Sequence, residues 1–496
     1  MYHELIYLLF TFMLNFLSET LISLFIIPTV GFFVIMFSSK NLREIALFVS
    51  VLEFLESLRL WTRFDYLSSD FQFSFKVFWT NDYSFFFGVD GISLFFIILT
   101  TLLIPICLLA SWDTILILRK EYLLCFIGME VLLIGVFSIL DLLGFYIFFE
   151  AVLIPMFLII GVWGAREEKI RASYYFFFYT LVGSVLMLLS IFYIYYITGS
   201  TDYLTVLNYE IGFETQKVIF LCFFASLAVK IPKFPFHIWL PYAHVEAPVA
   251  GSVILAGILI KLGAYGFIRF CLPLLPAGSA FFGPLVLTLA ALAVVYASLT
   301  TLRQTDLKRV IAYSSVSHMG VVMLSIFSFS VIGLEGSIFL QVAHGLVSSA
   351  LFIVVTLLYE RHHSRIIKYY RGVTLTMPIY SMIFLFFTLG NIAVPLSANF
   401  VGEFLSLLAI FQVNPFITIV SCLGIILSAA YALFLYNRVC FGGMSVYLKH
   451  SIYSRDVTRR EFLVLLPLIF LTVLLGVYPN LILEPMHASV IKSLLA

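Results

Sequence analysis

Six side chains that trade protons in water stand here inside long runs of apolar residues: Glu150, Lys230, Lys261, His318, His344 and Glu403. Glu150 lies in "FYIFFEAVLIPMF", and the two lysines lie in "AVKIPKFPFHIWLPYAHVEAPVAGSVILAGILIKLGAYG", which also holds Lys233, His237, His244 and Glu246. Glu130 belongs to the same group of costly residues. A lysine at the centre of a bilayer costs roughly 2.5–3.5 kcal/mol on insertion scales, so each needs a helix-bundle interior, a partner or water. Acids alternating with bases at that depth form a path for protons. Burial loosens an ammonium's proton and a nearby carboxylate tightens it, so the separation of Glu150 and Lys230 decides whether that lysine holds or releases. Each residue also has a purely structural reading. Lys233 is close enough to a helix break to reach out to the surface, and Asp141 and Arg269 read as charges at helix ends. His318 and His344 read as neutral imidazoles bonded to Ser314 and Ser348. Lys261, beside Gly257, Gly263 and Gly266, and Glu150, apolar on all sides, fit the functional reading better.

The elements that must carry these residues follow from composition. Of 496 residues 62% are hydrophobic and only 11% charged, with a mean hydropathy of +1.10, so there is too little polar surface to cover a soluble fold and lipid must be the solvent. A span needs about 20 apolar residues. Runs of that kind predict an all-α polytopic membrane protein of about fourteen transmembrane helices: 20–38, 44–62, 91–111, 122–140, 142–162, 174–197, 217–240, 251–270, 282–302, 308–328, 333–359, 376–397 running on near 400–412, 415–437 and 461–482. Residues 2–17 form either an interfacial segment or a further span. Pro232 and Pro235 each remove an N–H and crowd the preceding turn, which breaks the seventh helix. Pro395, Asn399 and Gly402 suggest a second break in the twelfth. Broken backbone at membrane depth needs protein or water around it, and transporters build ion sites there. Five helices separate the breaks, so two inverted five-helix repeats are expected, over 122–270 and 282–440, flanked by N-terminal helices in 1–121 and a C-terminal loop and last helix in 441–496.

Charge sorts the loops. Connections after odd-numbered helices carry Lys40 and Arg43, Arg119 and Lys120, Arg166, Lys169 and Arg171, Arg303, Lys308 and Arg309, Arg361, Arg365, Lys368 and Arg371, and Arg438, Lys449, Arg455, Arg459 and Arg460. Loops after even helices carry few basic residues, so the odd loops face the matrix or cytoplasm. One missed span would scramble this order. Trp61, Trp112 and Trp163 fall at span ends as interfacial anchors; Trp239 does not. A net charge of +1 argues against a nucleic-acid partner. The six cysteines are scattered with no CxxC and read as small buried hydrophobes. No phosphate-binding Gly-Lys loop, GxGxxG or metal-ligand cluster is evident, nor a cleavable signal or transit peptide. Moving a proton against about 100 mV costs about 2.3 kcal/mol, so the energy must come from elsewhere.

Long motifs then point to a family. "FFEAVLIPMFLIIGVWG", the stretch around Lys230 and Lys261, "DLKRVIAYSSVSHMG", "AHGLVSSALF", "GVDGISLFF" and "NFVGEF" closely resemble the antiporter-like membrane-arm subunits of mitochondrial NADH:ubiquinone oxidoreductase, respiratory complex I, from about residue 80 to about residue 480. The resemblance implies a fourteen-helix subunit in the mitochondrial inner membrane, beside other membrane-arm subunits and phospholipids such as cardiolipin. It implies that Glu150 and Lys230 form the functional ion pair, that Lys261 is the central lysine, that His318 and His344 belong to the hydrophilic axis, and that Glu403 ends the second half-channel. Glu130, Lys233, His237, His244 and Glu246 are secondary candidates. FMN, iron–sulfur clusters, NADH and ubiquinone would be handled by other chains, with no cofactor or metal in this one. Two positions depart from the pattern: Tyr242 stands where an acidic residue is usual, and Leu396 follows Pro395 where glycine is common. A multisubunit cation/proton antiporter subunit would share Glu150, Lys230 and Lys261. A structural membrane subunit, whose polar groups only hold helices together, and a quinone-binding enzyme are the other readings.

Overall fold

The computed structural model of the chain describes residues 20–78, 84–445, 447 and 455–495; the stretch 2–17 lies outside them. Each long apolar run folds as a helix because lipid offers the backbone no hydrogen bonds, which leaves the i→i−4 ladder as its means of satisfaction. The spans are α1 (Thr20–Phe37), α2 (Leu42–Thr62), α3 (Gly91–Ala110), α4 (Arg119–Ser138), α5 (Leu142–Trp163) and α6 (Lys169–Thr198). Between α2 and α3 a hairpin of β1 (Gln72–Phe78) and β2 (Ser84–Val89) intervenes, which the apolar-run reading does not anticipate. A short α7 (Tyr203–Leu207) precedes α8 (Phe213–Lys230) and α9 (Trp239–Glu246). Then come α10 (Val249–Leu274), α11 (Pro276–Leu302), α12 (Leu307–Ile326), α13 (Val331–His362), α14 (Pro378–Asn391), α15 (Ala398–Val413), α16 (Pro415–Cys440), α17 (Arg459–Val477) and α18 (Asn480–Leu495).

Eleven of these helices are long and apolar enough to cross a membrane unaided. The charged α2 and the two broken pairs, α8 with α9 and α14 with α15, bring the traverses to fourteen among the described residues, at the expected places. α10 and α13 are buried along their whole hydrophobic windows and form the centre, whereas α17 is buried over only 28% of its window and lies at the rim. The last predicted helix, 461–482, is two: α17 stops at Val477, and α18 folds back across the start of α3. There Ser489 Oγ accepts from the Gly91 N–H at 3.0 Å, and a Cβ at Gly91 would strike the Pro485 carbonyl.

The first break is satisfied by its own neighbours. Pro232 cannot donate to the Ala228 carbonyl, and the Lys233 N–H takes that oxygen instead at 3.3 Å. The Val229 carbonyl, which an intact helix would have given to Lys233, accepts from Trp239 Nε1 at 2.8 Å. Trp239 is therefore a buried strut of the break, which explains why it is not an interfacial anchor. In the second break Ala393 and Leu396 take positive φ, 61° and 75°. Leu396 thus occupies the left-handed region where a side chain costs most and glycine least.

The loops associate by parity. On one face Leu140, in the connection after α4, donates from its N–H to Phe86 of the hairpin at 2.8 Å, and Tyr203 N–H donates to the Leu140 carbonyl at 2.9 Å. On the other, Trp163 Nε1 donates to the Ile117 carbonyl at 3.0 Å, Leu307 N–H donates to the Arg365 carbonyl at 2.9 Å, and Arg361 pairs with Glu461 at 2.7 Å. The second set joins the basic loops. Hydrogen bonding thus reaches the same two-sided division as charge counting.

Candidate functional site

The candidate residues from the second half of the chain converge. Lys261 on α10 is fully buried, and its Nζ lies 3.1 Å from His344 Nδ1 on α13 while also donating to the Ala256 carbonyl. Two π-helical stretches, Leu255–Leu259 and Phe267–Cys271, bracket the α-helical Ile260–Gly266 that carries this lysine. Close approach of α10 and α13 rests on glycine: a Cβ at Gly345 would stand 2.8 Å from Leu99 Cδ2 and 3.1 Å from the Gly257 carbonyl. The His344 ring is centred 5.4 Å from that of His318 on α12, and His318 Nδ1 lies 2.7 Å from Glu403 Oε1 on α15. Four helices thus contribute one buried run, Lys261, His344, His318 and Glu403. The serines play no part in holding either imidazole: Ser348 donates to the backbone carbonyl of His344 at 2.6 Å, and Ser314 to that of Ile311 at 2.8 Å.

Towards the other end, Lys230 is the last residue of α8 and is buried. Its ammonium sits 4.5 Å from the centre of the Phe149 ring and 6.0 Å from that of Phe176. Among the described residues no carboxylate oxygen lies within 4.0 Å of it, and it makes no hydrogen bond. Glu150, half-buried on α5, is its electrostatic neighbour rather than its contact partner, and Ser184 on α6 is the nearby hydroxyl. The Phe149 face shields the ammonium, an interaction worth about 2 kcal/mol when desolvated.

The secondary candidates divide. His244 stacks flat on Phe352 at 4.6 Å, with neither ring nitrogen bonded, and feels both Lys261 and Lys308 electrostatically. Glu246 belongs to a buried knot on the basic face. Arg365 donates to the Val245 carbonyl, lies 3.3 Å from Glu246 and 3.9 Å from Asp306, and Lys308 donates to the Ala247 carbonyl at 3.0 Å. Lys233 does not reach a surface: it is buried over the Phe224 and Phe327 rings. His237 packs among Phe234, Tyr296 and Tyr313 beside the first break. Glu130 stands apart from the run, beside a second buried glutamate, Glu53, and no oxygen of either has a partner.

Several charged residues escaped the sequence reading. Arg269 is not a free helix-end charge but is buried against Asp90, with which it forms an ion pair. Burial pushes the Asp90 carboxyl up, yet the Arg269 charge and bond, with Ser93, outweigh it and hold the group below its usual range. Asp90 and Ser93 also form a capping box at the start of α3. Lys308 and Arg365 were counted with the basic loops; the local signal for Lys308 is Asp306 two residues before it, whereas the partners of Arg365, Glu246 and Asp306, both lie far from it in the chain. Among the described residues no three metal-ligating side chains converge, and the cysteines are free and scattered.

Fourteen traverses, two breaks and a buried line of acids and bases define a class of antiporter-like membrane subunit. A family model described as "NADH:quinone oxidoreductase/Mrp antiporter, TM" matches residues 140–428, a stretch that contains all six principal candidates, and the chain belongs to that family. Within it the chain sits among the NADH-ubiquinone oxidoreductase chain 4 proteins. It is 57% identical to that chain of Metridium senile over 92% of its own length and 94% of the relative, and 52% identical to that of Chondrus crispus over 94% and 96%. Among solved structures, a chain of "Respiratory complex I from Thermus thermophilus with bound NADH" superimposes with a TM-score of 0.85 at 30% identity, covering 96% of this chain and 99% of that one.

Proposed function

We propose that the chain is a proton-carrying membrane-arm subunit of a mitochondrial NADH:ubiquinone oxidoreductase, seated in the inner membrane beside further antiporter-like subunits and phospholipids. Protons move along Glu150, Lys230, Lys261, His344, His318 and Glu403. The segments 122–270 and 282–440 serve as two half-channels that meet between Lys261 and His344, with 1–121 and 441–496 bracing them. His237, His244 and Glu246 feed the run from its flanks, Lys233 holds the first break open, and Glu130 acts outside the main line. Electron transfer from NADH to ubiquinone, with its FMN and iron–sulfur clusters, takes place in other chains. The donors here suit that division, since the run is built of carboxylates, amines and imidazoles, groups that exchange protons.

The observation that carries the reading is the buried run from Lys261 to Glu403, built from four separate helices. A helix-gluing role needs pairs only, and does not call for titratable groups in series. The gap at Glu150 and Lys230 supplies the control point. Two opposite charges brought to 4 Å at an effective dielectric of 20 attract by about 4 kcal/mol. Separating the pair therefore changes the lysine's hold on its proton by an energy of the same order as the roughly 2.3 kcal/mol that one charge needs to cross 100 mV.

Lys230→Met tests it. In the assembled complex reconstituted in vesicles, the variant is expected to lose most NADH-driven proton uptake while the complex still assembles. Unchanged pumping would leave the side chain with a structural role.

A further inference from the structure

On the face opposite the basic loops a cavity of about 250 Å³ opens between the end of α2 and the start of α18, with Trp61, Tyr66, Tyr478, Asn480, Glu484 and Pro485 in its lining. We propose that this cavity binds a quaternary ammonium group of the choline type. The inference is independent of the proton path.

The walls are fixed by bonds outside the cavity. Trp61, in the last turn of α2, packs edge-on against Phe95 of α3 with ring centres 5.8 Å apart. The loop that carries Tyr66 is pinned to the start of β1: Asp65 N–H donates to Gln72 Oε1 at 3.0 Å, and Gln72 Nε2 donates to the Asp65 carbonyl at 2.7 Å. Tyr478 closes α17, its N–H donating to the Leu474 carbonyl at 2.8 Å. Helix α18, which carries Asn480 and Glu484, is anchored through Ser489 to Gly91 and through Lys492 to Asp70, the ion pair measuring 2.5 Å. Three aromatic side chains from three segments are thereby held around one opening.

The lining selects first the sign of the guest and then its kind. One of its side chains, Glu484, is a carboxylate and none is basic; among the described residues that carboxylate has no hydrogen bond or ion pair. The rings add to its pull, since an aromatic face is negative and attracts a cation. Most of the remaining lining is apolar, with Leu481 and Pro485 beside the rings, so a guest must shed water on entering. A primary ammonium is compact and strongly hydrated. A quaternary one spreads its charge over methyl groups that pack on rings, which is how aromatic sites recognise choline. Tyr66 and Tyr478 are exposed, so the opening admits a guest from outside. A free soluble cation and a choline headgroup present the same group to it.

The test uses the assembled complex in vesicles free of choline lipid, with a photo-crosslinking choline analogue as the probe and adducts located by peptide mass spectrometry. Adducts are expected on the segments holding Trp61, Tyr66 and Tyr478. Excess tetramethylammonium should displace the probe, whereas its neutral isostere, with carbon in place of the nitrogen, should not. Tyr66→Leu is expected to weaken capture about 2- to 5-fold, the worth of one exposed contact between a cation and a ring, and Glu484→Gln about 2- to 5-fold through the lost charge. Tyr66→Phe keeps the ring and should retain capture, which guards against a leucine variant that fails to assemble. Adding phosphatidylcholine to the vesicles separates the two sources: labelling falls where the headgroup takes the cavity and is unchanged where the guest is a free cation, and either result upholds the site. Displacement by the neutral isostere as readily as by tetramethylammonium, a phenylalanine variant as weak as the leucine one, or undiminished capture after Glu484→Gln would each overturn the assignment.

Discussion

The hydrogen bond between His318 and Glu403 gives the sharpest test of whether the buried run works as a unit. The two atoms are 2.7 Å apart and both side chains are buried. A hydrogen bond to a charged group contributes about 1.5–3 kcal/mol, which converts at 1.36 kcal/mol per factor of ten to a coupling of about 10- to 150-fold. The design is a double-mutant cycle on Glu403→Gln and His318→Ala in the complete complex. The assay is the initial rate of NADH-driven proton uptake by reconstituted vesicles, with quinone reduction followed in parallel. Each single variant is expected to slow uptake strongly. The double variant is expected to be no slower than the worse single one, because once either member is missing the other has nothing left to exchange with. If the two losses multiply instead, the residues act independently, and the continuous path drawn here is wrong.

Three further outcomes follow from local geometry. Leu396→Gly removes a side chain from a positive-φ position at which that side chain is 70% exposed, and should stabilise the second break by about 1 kcal/mol, read as a higher thermal midpoint; Leu396→Val should lower it. Arg365→Met leaves Glu246 as a buried carboxylate without its partner, at a cost of about 3–5 kcal/mol, so assembled complex on a native gel should fall sharply, and adding Glu246→Gln should restore part of it. Asp141, in the connection before α5, is held above the usual aspartate range chiefly by burial, against the pull of bonds from Thr201 at 2.5 Å and Gly144 at 2.7 Å. Folding therefore favours its protonated form, and the stability this contributes is complete below the unfolded value of about 3.9 and lost as pH rises through the folded one. Asp141→Asn keeps a good helix cap and should flatten the dependence of the thermal midpoint on pH across that window.

The spans were legible because each is a long apolar run, and the breaks because Pro232, Pro235 and Pro395 cannot serve an unbroken ladder. Loop sidedness was legible as well, since basic residues are sorted by which side they remain on, and the hydrogen bonds among loops follow the same division. Pairing was not. Nothing near Arg269 in the chain announces Asp90, which lies 179 positions away, and Arg365 reads as one more loop charge until the fold tucks it under Val245 and Glu246. Charge counting treats every loop arginine as solvated, so it is blind to one that is buried. Leu396 shows the reverse: a departure from the usual glycine is visible in sequence, and the structure shows it as a strained torsion.

Helix α10 makes one point about counting. Each of its π turns fits one residue more than an α turn into a single revolution, so the extra residue is absorbed there and the residues beyond keep the facing of an uninterrupted helix. The aim of Lys261 at α13 therefore tolerates a change of chain length within Leu255–Leu259. Deleting one position there would restore an α turn and leave the ammonium directed at the same neighbour, whereas the same deletion in a regular α turn would swing it by about 100°. In this family, alignments that differ by one residue in that turn can still share the wiring.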